Sequence, residues 1–442
     1  MLRRNYVSRL LLPQPRIIPH NLENQNGDKD TRLSLSHRLL TEAGYIHQET
    51  QGYFTLLPLG LRSLSKLENL LDQNLQSVGC QRLRMPSLTP SSYWERSHRK
   101  SEMGPELMSL KNRRGKEFVL APTHEEALSQ FFSSLRLSYK SMPLYVYQIT
   151  NKYRDELNPK FGLLRANEFL MKDLYTFDVD QACAKETYKN MSVVYERFFS
   201  QLNVPFLRAV GSGASMGSSA SHEYHFLTDA VGQDKIGTCN SCEQKFNMEV
   251  VENNYSCPEC LNGTIEPLSQ KAIEVAHTFH LGNKYSSVFN SDFMNKNAKM
   301  EHAEMCCFGI GLSRLLSASV EILSNESFIR WPETIAPYKV YLITPKKGSK
   351  EFNDAVCKVH HLYDDVLKYM SSDVLIDDTE NKTIGAKLRY AKKIGIPLII
   401  VFGKDSIKSV DPLVEIHTYK DQVLKLHPSS IKDFVLQMYD KV

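Results

Sequence analysis

Two short apolar segments around one polar loop constrain the fold of this chain more than any other feature. Residues 151–173 read NKYRDELNPKFGLLRANEFLMKD, with apolar residues on both sides of the loop but not through it. This pattern predicts two paired strands rather than a helix. Side chains at the loop end of such a pair converge, so we expect Arg154, Glu156 and Arg165 to share one site. Phe169 should lie beside them.

These side chains suit a ligand that has phosphates and a flat base. Arginine binds phosphate oxygens through two parallel N–H groups, and an aromatic ring can stack on a nucleobase. The ATP loop Gly-x-x-x-x-Gly-Lys-Ser/Thr is absent from the sequence, so an ATP site in this chain would be of another kind. A further arginine, Arg314, follows the segment FGIGLS, whose glycines let a ligand lie against the backbone.

Length and charge limit the remaining choices. The 442 residues exceed one ordinary domain. No apolar run approaches the roughly 18 residues that a membrane span needs, so we expect no membrane partner. The net charge of +4 is too small to indicate nucleic-acid binding by itself, and such a partner would have to be held by local basic patches.

The predicted elements divide the chain into two domains. Residues 29–337 mix predicted helices and strands, whereas residues 338–442 alternate four predicted strands with helices, which predicts an α/β domain. Within the first domain, Thr123 precedes a predicted helix and is placed to cap it.

An insert at residues 228–270 contains two Cys-x2-Cys pairs, 14 residues apart. This spacing suits a structural zinc ribbon with four thiolate ligands. The ligands would be Cys239, Cys242, Cys257 and Cys260. Two disulfides, or a ribbon without metal, are the alternatives, although the odd total of nine cysteines argues against a secreted disulfide framework.

Residues 1–28 are basic and contain no acidic residue before Glu23. Arginines alternate with apolar residues there, as is typical of a mitochondrial transit segment. We therefore expect the protein in the mitochondrial matrix. A disordered basic tail is the alternative.

Three motifs resemble those of class II aminoacyl-tRNA synthetases. They are Gly79-x6-Pro86 (motif 1), Arg154-x-Glu156 with Arg165-x3-Phe169-x3-Asp173 (motif 2), and Gly309-Ile310-Gly311-Leu312-Ser313-Arg314 (motif 3). The segments APTHEE, SASHEY, EVAHTFHLG and WPETIAP resemble prolyl-tRNA synthetases of the bacterial and mitochondrial type. The resemblance covers about residues 33–225 and 271–442, and the insert is too short to be the large editing domain of bacterial relatives.

The resemblance implies an α+β catalytic domain built on an antiparallel sheet, followed by an α/β anticodon-binding domain. It implies ATP-dependent ligation of L-proline to its tRNA through a prolyl-adenylate, with Mg²⁺ on the ATP and a homodimer formed through motif 1. A non-catalytic binding protein on a synthetase scaffold, or a synthetase for threonine, serine, glycine or histidine, is the alternative.

The resemblance also implies roles for individual residues. The ATP-binding residues would be Arg154, Glu156, Arg165, Phe169 and Arg314, of which Arg154, Glu156 and Arg314 would be catalytic. The proline-binding residues would be Thr123, Glu125, Arg154, His277 and Phe279. Relatives often read Asp-Asp-Arg where this chain has Asp377-Asp378-Thr379, so the residues that read the anticodon stay open.

Overall fold

Two β-sheets of different design organise the chain. The computed structural model describes residues 4–11, 33–213, 216, 220–251, 255–370, 373–419 and 421–439. A nine-stranded, mostly antiparallel sheet belongs to the first domain, and a five-stranded mixed sheet belongs to the second. This arrangement confirms the predicted fold class. Among the described residues, no helix is long and apolar enough to span a bilayer.

The first domain carries sixteen strands and eight helices among its described residues. The strands are β1 (Ile46–Thr50), β2 (Tyr53–Leu56), β3 (Gln81–Arg82), β4 (Leu88–Pro90), β5 (Ser109–Lys111), β6 (Glu117–Leu120), β7 (Leu144–Tyr153), β8 (Glu168–Asp178), β9 (Leu207–Val210), β10 (Ala220–Thr228), β11 (Asp234–Cys239), β12 (Lys245–Asn247), β13 (Ile265–Gly282), β14 (Asp292–Met294), β15 (Met300–His302) and β16 (Glu304–Gly311). The helices are α1 (Leu35–Glu42), α2 (Pro58–Gln76), α3 (Ser91–Arg96), α4 (Arg99–Met103), α5 (Glu125–Ser133), α6 (Gln181–Leu202), α7 (Lys284–Phe289) and α8 (Leu312–Leu323).

The nine-stranded sheet has the order β10-β9-β12-β11-β13-β16-β8-β7-β3, and β10 also pairs with β13. Its pairs are antiparallel except β9–β12 and β3–β7. Strands β7 and β8 pair antiparallel up to Tyr153 and Glu168, at the loop end of the hairpin. The strand pair predicted from the apolar pattern of residues 151–173 is therefore confirmed.

The long strand β13 contains a β-bulge. Tyr224 of β10 pairs with Ala276, whereas the next residue, His225, pairs with Glu274. Val275 is therefore an extra residue in β13, and such a bulge changes the direction in which the neighbouring side chains point.

The sheet separates the main hydrophobic core from the candidate site. Cys306 and Cys307 are neighbours on β16, and successive side chains on a strand point to opposite faces. The Cys306 thiol donates to the Ala184 carbonyl of α6 at 3.7 Å, whereas the Cys307 thiol donates to the Glu125 carboxylate at 3.2 Å. One face therefore packs on α6, and the other faces the N-terminus of α5.

The second domain has five strands and three helices among its described residues. They are β17 (Val340–Ile343), α9 (Phe352–Met370), β18 (Val374–Asp377), α10 (Ile384–Lys393), β19 (Leu398–Val401), β20 (Val414–Thr418), β21 (Val423–Leu426) and α11 (Ile431–Tyr439). The strand order is β18-β17-β19-β20-β21, with β17 parallel to both of its neighbours. The predicted alternation of strands and helices is confirmed.

Residues 4–11, here called the N-terminal arm, lie on the second domain. Tyr6 forms a parallel bridge with Ile376, next to the Asn5 carbonyl that accepts from the Ile376 N–H at 3.0 Å. Val7 is buried, and Arg4 forms a two-pronged ion pair with Asp364. The arm thus covers the open edge of β18. Residues 1–3 and 12–28 of the predicted transit segment lie outside the described residues.

Candidate active site

A cavity of about 450 Å³ collects residues from β8, β13, β16, α4, α5 and α8, and from the loop that joins β7 to β8. Eight of the predicted site residues line it, namely Thr123, Glu125, Arg154, Glu156, Phe169, His277, Phe279 and Arg314. Arg165 lines an adjoining smaller cavity of about 180 Å³, which shares Glu156 and Arg314 with the larger one. The structure therefore brings all of the predicted nucleotide and amino-acid residues into one connected region.

Arg154 carries a positive charge into this cavity. Its guanidinium carbon lies 5.3 Å from the centre of the Phe169 ring. Its Nε is buried and has no hydrogen-bond partner among the described residues. Burial, followed by the charge of Arg314, lowers the pKa of Arg154. A buried N–H without a partner is costly, so this arrangement suits an anionic ligand that would accept from it.

Glu156 and Arg165 form an ion pair in this structure. Arg165 Nε and Nη2 lie 2.8 and 2.7 Å from Glu156 Oε2. The Arg165 side chain is about one-third exposed, at 36%. Solvent reaches the Arg165 end of the pair, whereas the Glu156 side chain is mostly buried, so Arg165 is the partner that can turn to a ligand at small cost.

Arg314 sits where β16 passes into α8. Its Nε donates to the Leu164 carbonyl at 2.8 Å and its Nη1 donates to the Glu274 carbonyl at 3.2 Å. Gly309 and Gly311 line the cavity just before it. A methyl group on Gly309 would approach the His277 carbonyl at 3.6 Å, which is ordinary contact, so alanine would fit at this position without displacing protein atoms.

The predicted helix cap at Thr123 is wrong. Helix α5 begins at Glu125, and its N-cap is His124. The Thr123 hydroxyl instead donates to Glu125 Oε2 at 2.5 Å and lies 3.1 Å from the Tyr175 hydroxyl. Because Thr123 bonds to side chains and not to the helix backbone, it and Glu125 form one polar wall of the cavity.

His277 and Phe279 form another wall of the cavity. Their rings stack with centroids 3.9 Å apart and an interplanar angle of 25°. His277 Nε2 lies 2.6 Å from the Ser221 hydroxyl and 3.7 Å from Glu223 Oε1, which fixes the ring against β10. A flat wall of this kind suits a small apolar ring.

Glu274 is a cavity residue that the sequence analysis missed. Its Oε1 lies 3.2 Å from His277 Nδ1, and its Oε2 lies 3.7 Å from Arg314 Nη1. Burial alone would raise the pKa of Glu274, but the hydrogen bond from His277 and the charge of Arg314 lower it to about 2. Glu274 and His277 are three residues apart, so strand alternation would separate them. The bulge at Val275 brings them to the same cavity.

Two further elements touch the site. The Pro86 carbonyl of predicted motif 1 lies 3.0 Å from His124 Nε2, directly beside Thr123 and Glu125. From the insert, Asn247 donates to Glu223 Oε2 at 2.8 Å, and Glu223 lies against His277. The cysteine insert is therefore connected to one wall of the cavity.

The four paired cysteines converge at the tip of β11 and β12. Their sulfur atoms all lie within 4.8 Å of one another. Cys239 and Cys260 are 3.7 Å apart, as are Cys242 and Cys257. Thiolates about 2.3 Å from a tetrahedral zinc ion are about 3.8 Å apart, so the spacing fits zinc. It exceeds the bonded distance of about 2.0 Å and does not fit disulfides.

Two protein-family models match the chain. The model described as the tRNA synthetase class II core domain (G, H, P, S and T) matches residues 108–323. The model described as an anticodon binding domain matches residues 339–437. The two matches correspond to the two sheets.

Solved structures share the fold. The chain superposes on a Giardia lamblia prolyl-tRNA synthetase in complex with prolyl-adenylate with a TM-score of 0.75 at 20% identity, covering 90% of this chain and 75% of that one. A Cryptosporidium parvum prolyl-tRNA synthetase complexed with L-proline and AMP gives a TM-score of 0.73 at 16% identity, covering 92% and 75%.

Curated relatives are much more similar in sequence. A probable mitochondrial proline--tRNA ligase of Rattus norvegicus is 42% identical over 412 residues, which is 92% of this chain and 85% of the relative. Its counterpart in Schizosaccharomyces pombe is 38% identical, covering 83% and 85%, and the proline--tRNA ligase of Anaplasma marginale is 35% identical, covering 86% and 90%. This chain therefore belongs to the proline--tRNA ligase family, within the class II aminoacyl-tRNA synthetases.

Proposed function

We propose that this protein activates L-proline with ATP and transfers it to the tRNA for proline in mitochondria. The observation that carries the proposal is the cavity itself, which has an acidic wall at Thr123 and Glu125 and cationic groups at Arg154 and Arg314. An amino acid is a zwitterion, so a site with separated charges of opposite sign fits it. The rat and fission-yeast relatives, both named as mitochondrial, support the compartment.

In the first step, a carboxylate oxygen of proline attacks the α-phosphorus of ATP. The bond from that phosphorus to the bridging oxygen breaks, and pyrophosphate leaves with the electron pair. Arg154 holds the proline carboxylate and the α-phosphate, while Arg165 and Arg314 bind the outer phosphates and Phe169 stacks on adenine. These groups act by position and charge, which is the usual basis of phosphoryl transfer.

The acidic wall holds the amino end of the substrate. The secondary ammonium of proline has two N–H groups and one positive charge, which Thr123 and Glu125 accept. His277 and Phe279 pack on the ring. In the second step, a hydroxyl of the terminal ribose of tRNA attacks the carbonyl carbon, the anhydride bond breaks, the hydroxyl proton is released and AMP leaves.

Magnesium fits the phosphate end of the cavity. Mg²⁺ prefers oxygen ligands and binds through one or two carboxylates together with substrate phosphates. Glu274, whose pKa of about 2 keeps it ionised, would hold the ion, and Glu156 orders the nucleotide beside it. The ion would neutralise charge on the phosphates.

Zinc fits the insert. Four cysteine ligands leave no open coordination position, so the ion would be structural. Its role would be to hold β11 and β12 together, and with them the Asn247 contact to Glu223.

A homodimer through motif 1 and a targeting role for residues 1–28 complete the proposal. The short strand β3 lies at the end of the nine-stranded sheet, and both of its residues are exposed. The backbone N–H and C=O groups at an open sheet edge can pair with a strand of another chain, which supports a dimer contact there. The basic composition of residues 1–28 supports targeting, although cleavage at residue 28 would remove the arm that covers β18. The proposed domains remain 29–337 and 338–442.

The decisive experiment is exchange of pyrophosphate into ATP, measured with each of the twenty amino acids. We expect exchange with proline alone at low amino-acid concentration. Exchange with another amino acid instead, or none with a folded protein, would overturn the proposal and favour a related synthetase or a non-catalytic binding protein.

A further inference from the structure

A buried arginine lines the cavity beside Thr123 and Glu125, in a segment that matches no motif. Arg99 opens the short helix α4 and is only 5% exposed. Glu125 and Glu126, the first two residues of α5, are 0% and 1% exposed. Charged side chains are rarely buried to this degree unless they are paired.

One nitrogen of Arg99 joins the two carboxylates. Arg99 Nη1 lies 3.2 Å from Glu125 Oε2 and 3.2 Å from Glu126 Oε1. The Arg99 guanidinium also lies over the rings of Trp94 and Tyr285, at 5.2 and 5.9 Å from their centroids. The guanidinium is thereby fixed between two aromatic rings, and it fixes the carboxylates in turn.

The two carboxylates differ in what else they contact. Glu125 lines the cavity and accepts from Thr123 and Cys307, at 2.5 and 3.2 Å. Glu126 does not line the cavity and accepts from Ser97 at 2.9 Å. Arg99 therefore joins a carboxylate that faces the ligand to one that faces the protein.

The charges of this group do not cancel. Burial raises the pKa of Glu126, and the charge of Arg99 opposes this effect. With both carboxylates ionised, the two carboxylates and one guanidinium carry one net negative charge, in a region with little water to screen it. The substrate ammonium would bring one positive charge. The group as a whole, and not Glu125 alone, thus matches the charge of the substrate.

We propose that Arg99 is a positioning residue of the amino-acid site: by bridging Glu125 and Glu126 it orients Glu125 and sets a net charge of −1 that selects ligands carrying an ammonium group. This inference rests on the proposed function, because Glu125 is the group that accepts the ammonium of proline. Arg99 also lines the cavity, and its proposed role is to act through Glu125, whose carboxylate it holds in place.

The test uses proline and tetrahydrofuran-2-carboxylate, which has the same ring with an oxygen in place of the ammonium nitrogen. In the full-length protein, the KM for proline and the Ki of the analogue are measured by pyrophosphate exchange. Their ratio, Ki divided by KM, reports selection for the positive charge. A purely structural role for Arg99 would change stability or kcat without changing this ratio.

The variants change the charge in steps. Glu126→Gln takes the group from −1 to 0 with almost no change of shape, and the ratio should fall by about tenfold to a hundredfold, the scale of a hydrogen bond to a charged group. Arg99→Met takes it to −2 and should raise the KM for proline, because Glu125 loses its anchor and is repelled by Glu126. Arg99→Met/Glu126→Gln returns the net charge to −1. The ratio of Ki to KM in this double variant should be higher than multiplying the two single-variant effects would predict.

Arg96→Met is the matched control. Arg96 is exposed, three residues before Arg99, and bonds to the Gln130 side chain and the Val288 carbonyl. The ratio of Ki to KM measured for Arg96→Met should equal that of the wild type. An unchanged ratio in folded Glu126→Gln protein would overturn the inference even if Arg99→Met fails to fold. Absence of proline-dependent exchange in the wild type would instead overturn the proposed function.

Discussion

Single side chains carry the charges that line the cavity, and Arg154 is the residue to which we assign the α-phosphate and the proline carboxylate. We expect Arg154→Ala to lower proline-dependent pyrophosphate exchange by about 10² or more, the scale for a preorganised electrostatic group. Its buried Nε has no partner among the described residues, so its removal leaves little else unpaired in the free protein.

The control for Arg154→Ala is Arg113→Ala, at an exposed position. Both variants should fold and melt near the wild-type temperature, and the control should keep full exchange. Near-normal exchange by folded Arg154→Ala protein would contradict the assignment of this residue.

His225 should make the stability depend on pH. Its buried Nε2 lies 3.3 Å from a carboxylate oxygen of Glu223 and 3.3 Å from one of Asp234, so both carboxylates favour the protonated ring. Burial alone would lower the pKa of His225, but these carboxylates raise it to about 9. Because this lies above the ordinary value of about 6.5, the stabilisation is complete below about pH 6.5 and is lost as the pH rises through about 9.

This loss should amount to about 3 kcal/mol at most, from the size of the shift. Denaturant unfolding of the wild type from pH 6 to pH 10 measures it, with His225→Gln as the test variant and His47→Gln, at an exposed position of β1, as the control. The same pH profile in His225→Gln protein would show that another group is responsible.

At the scale of elements, the insert should depend on its metal. We expect purified protein to contain one zinc ion per chain, and Cys239→Ser/Cys257→Ser to lose it, because serine is a poor ligand for zinc. The insert should then unfold at lower temperature, with a smaller effect on kcat than on stability. Elemental analysis and thermal melting measure both.

The exposed cysteines Cys183 and Cys357, which lie outside the cluster, provide the control pair. Cys183→Ser/Cys357→Ser should retain both the zinc and the melting temperature. Metal-replete protein without zinc, or paired disulfides found by mass spectrometry, would rule out the ribbon.

The N-terminal arm should stabilise the second domain. Deleting residues 1–11 exposes the edge of β18 and removes buried Val7, whose burial contributes about 2 kcal/mol. We expect tRNA charging to fall more than pyrophosphate exchange, because the arm lies on the second domain, where Ser8 donates its N–H to Asp378 at 2.9 Å.

A single substitution tests one contact of the arm without deleting residues. Asp364→Asn removes the partner of Arg4 and should cost less than about 1 kcal/mol because the pair is exposed, whereas Asp365→Asn alters its exposed neighbour and should cost nothing. Equal tRNA charging and equal stability after deletion of residues 1–11 would show that the arm is dispensable.

The N-terminus of protein isolated from mitochondria, read by mass spectrometry, tests the transit segment directly.

For the whole molecule, the property in question is how accurately the protein selects proline over other amino acids. Alanine is smaller than proline and fits the same cavity, and each missing methylene is worth only about 1–3 kcal/mol. Between β10 and β13, the described residues form the cysteine insert, in the position where bacterial-type prolyl-tRNA synthetases often carry an editing domain. We therefore expect the protein to form alanyl-tRNA to a measurable extent and not to hydrolyse it. Deacylation of pre-formed alanyl-tRNA for proline codons measures this, and hydrolysis well above the spontaneous rate would reveal an editing site.

Much of the site could be predicted because its motifs are local. The β7–β8 hairpin follows from apolar residues beside a polar loop, and the cysteine cluster follows from the spacing of its two pairs. The cap at Thr123 was mispredicted because its hydroxyl bonds to Tyr175, a residue of a distant strand. Glu274 was missed because a bulge, which depends on pairing with β10, reverses the expected alternation.

The sequence by itself determined the family, the order of the two domains and the residue types at the nucleotide site, since these depend on composition and spacing along the chain. Only the tertiary structure decided which charges meet. Arg99 and Glu125 are 26 residues apart and belong to different helices, yet they share a buried ion pair. Electrostatic energy depends on the distance between charges in space and on the exclusion of water, and the local pattern of residues specifies neither quantity.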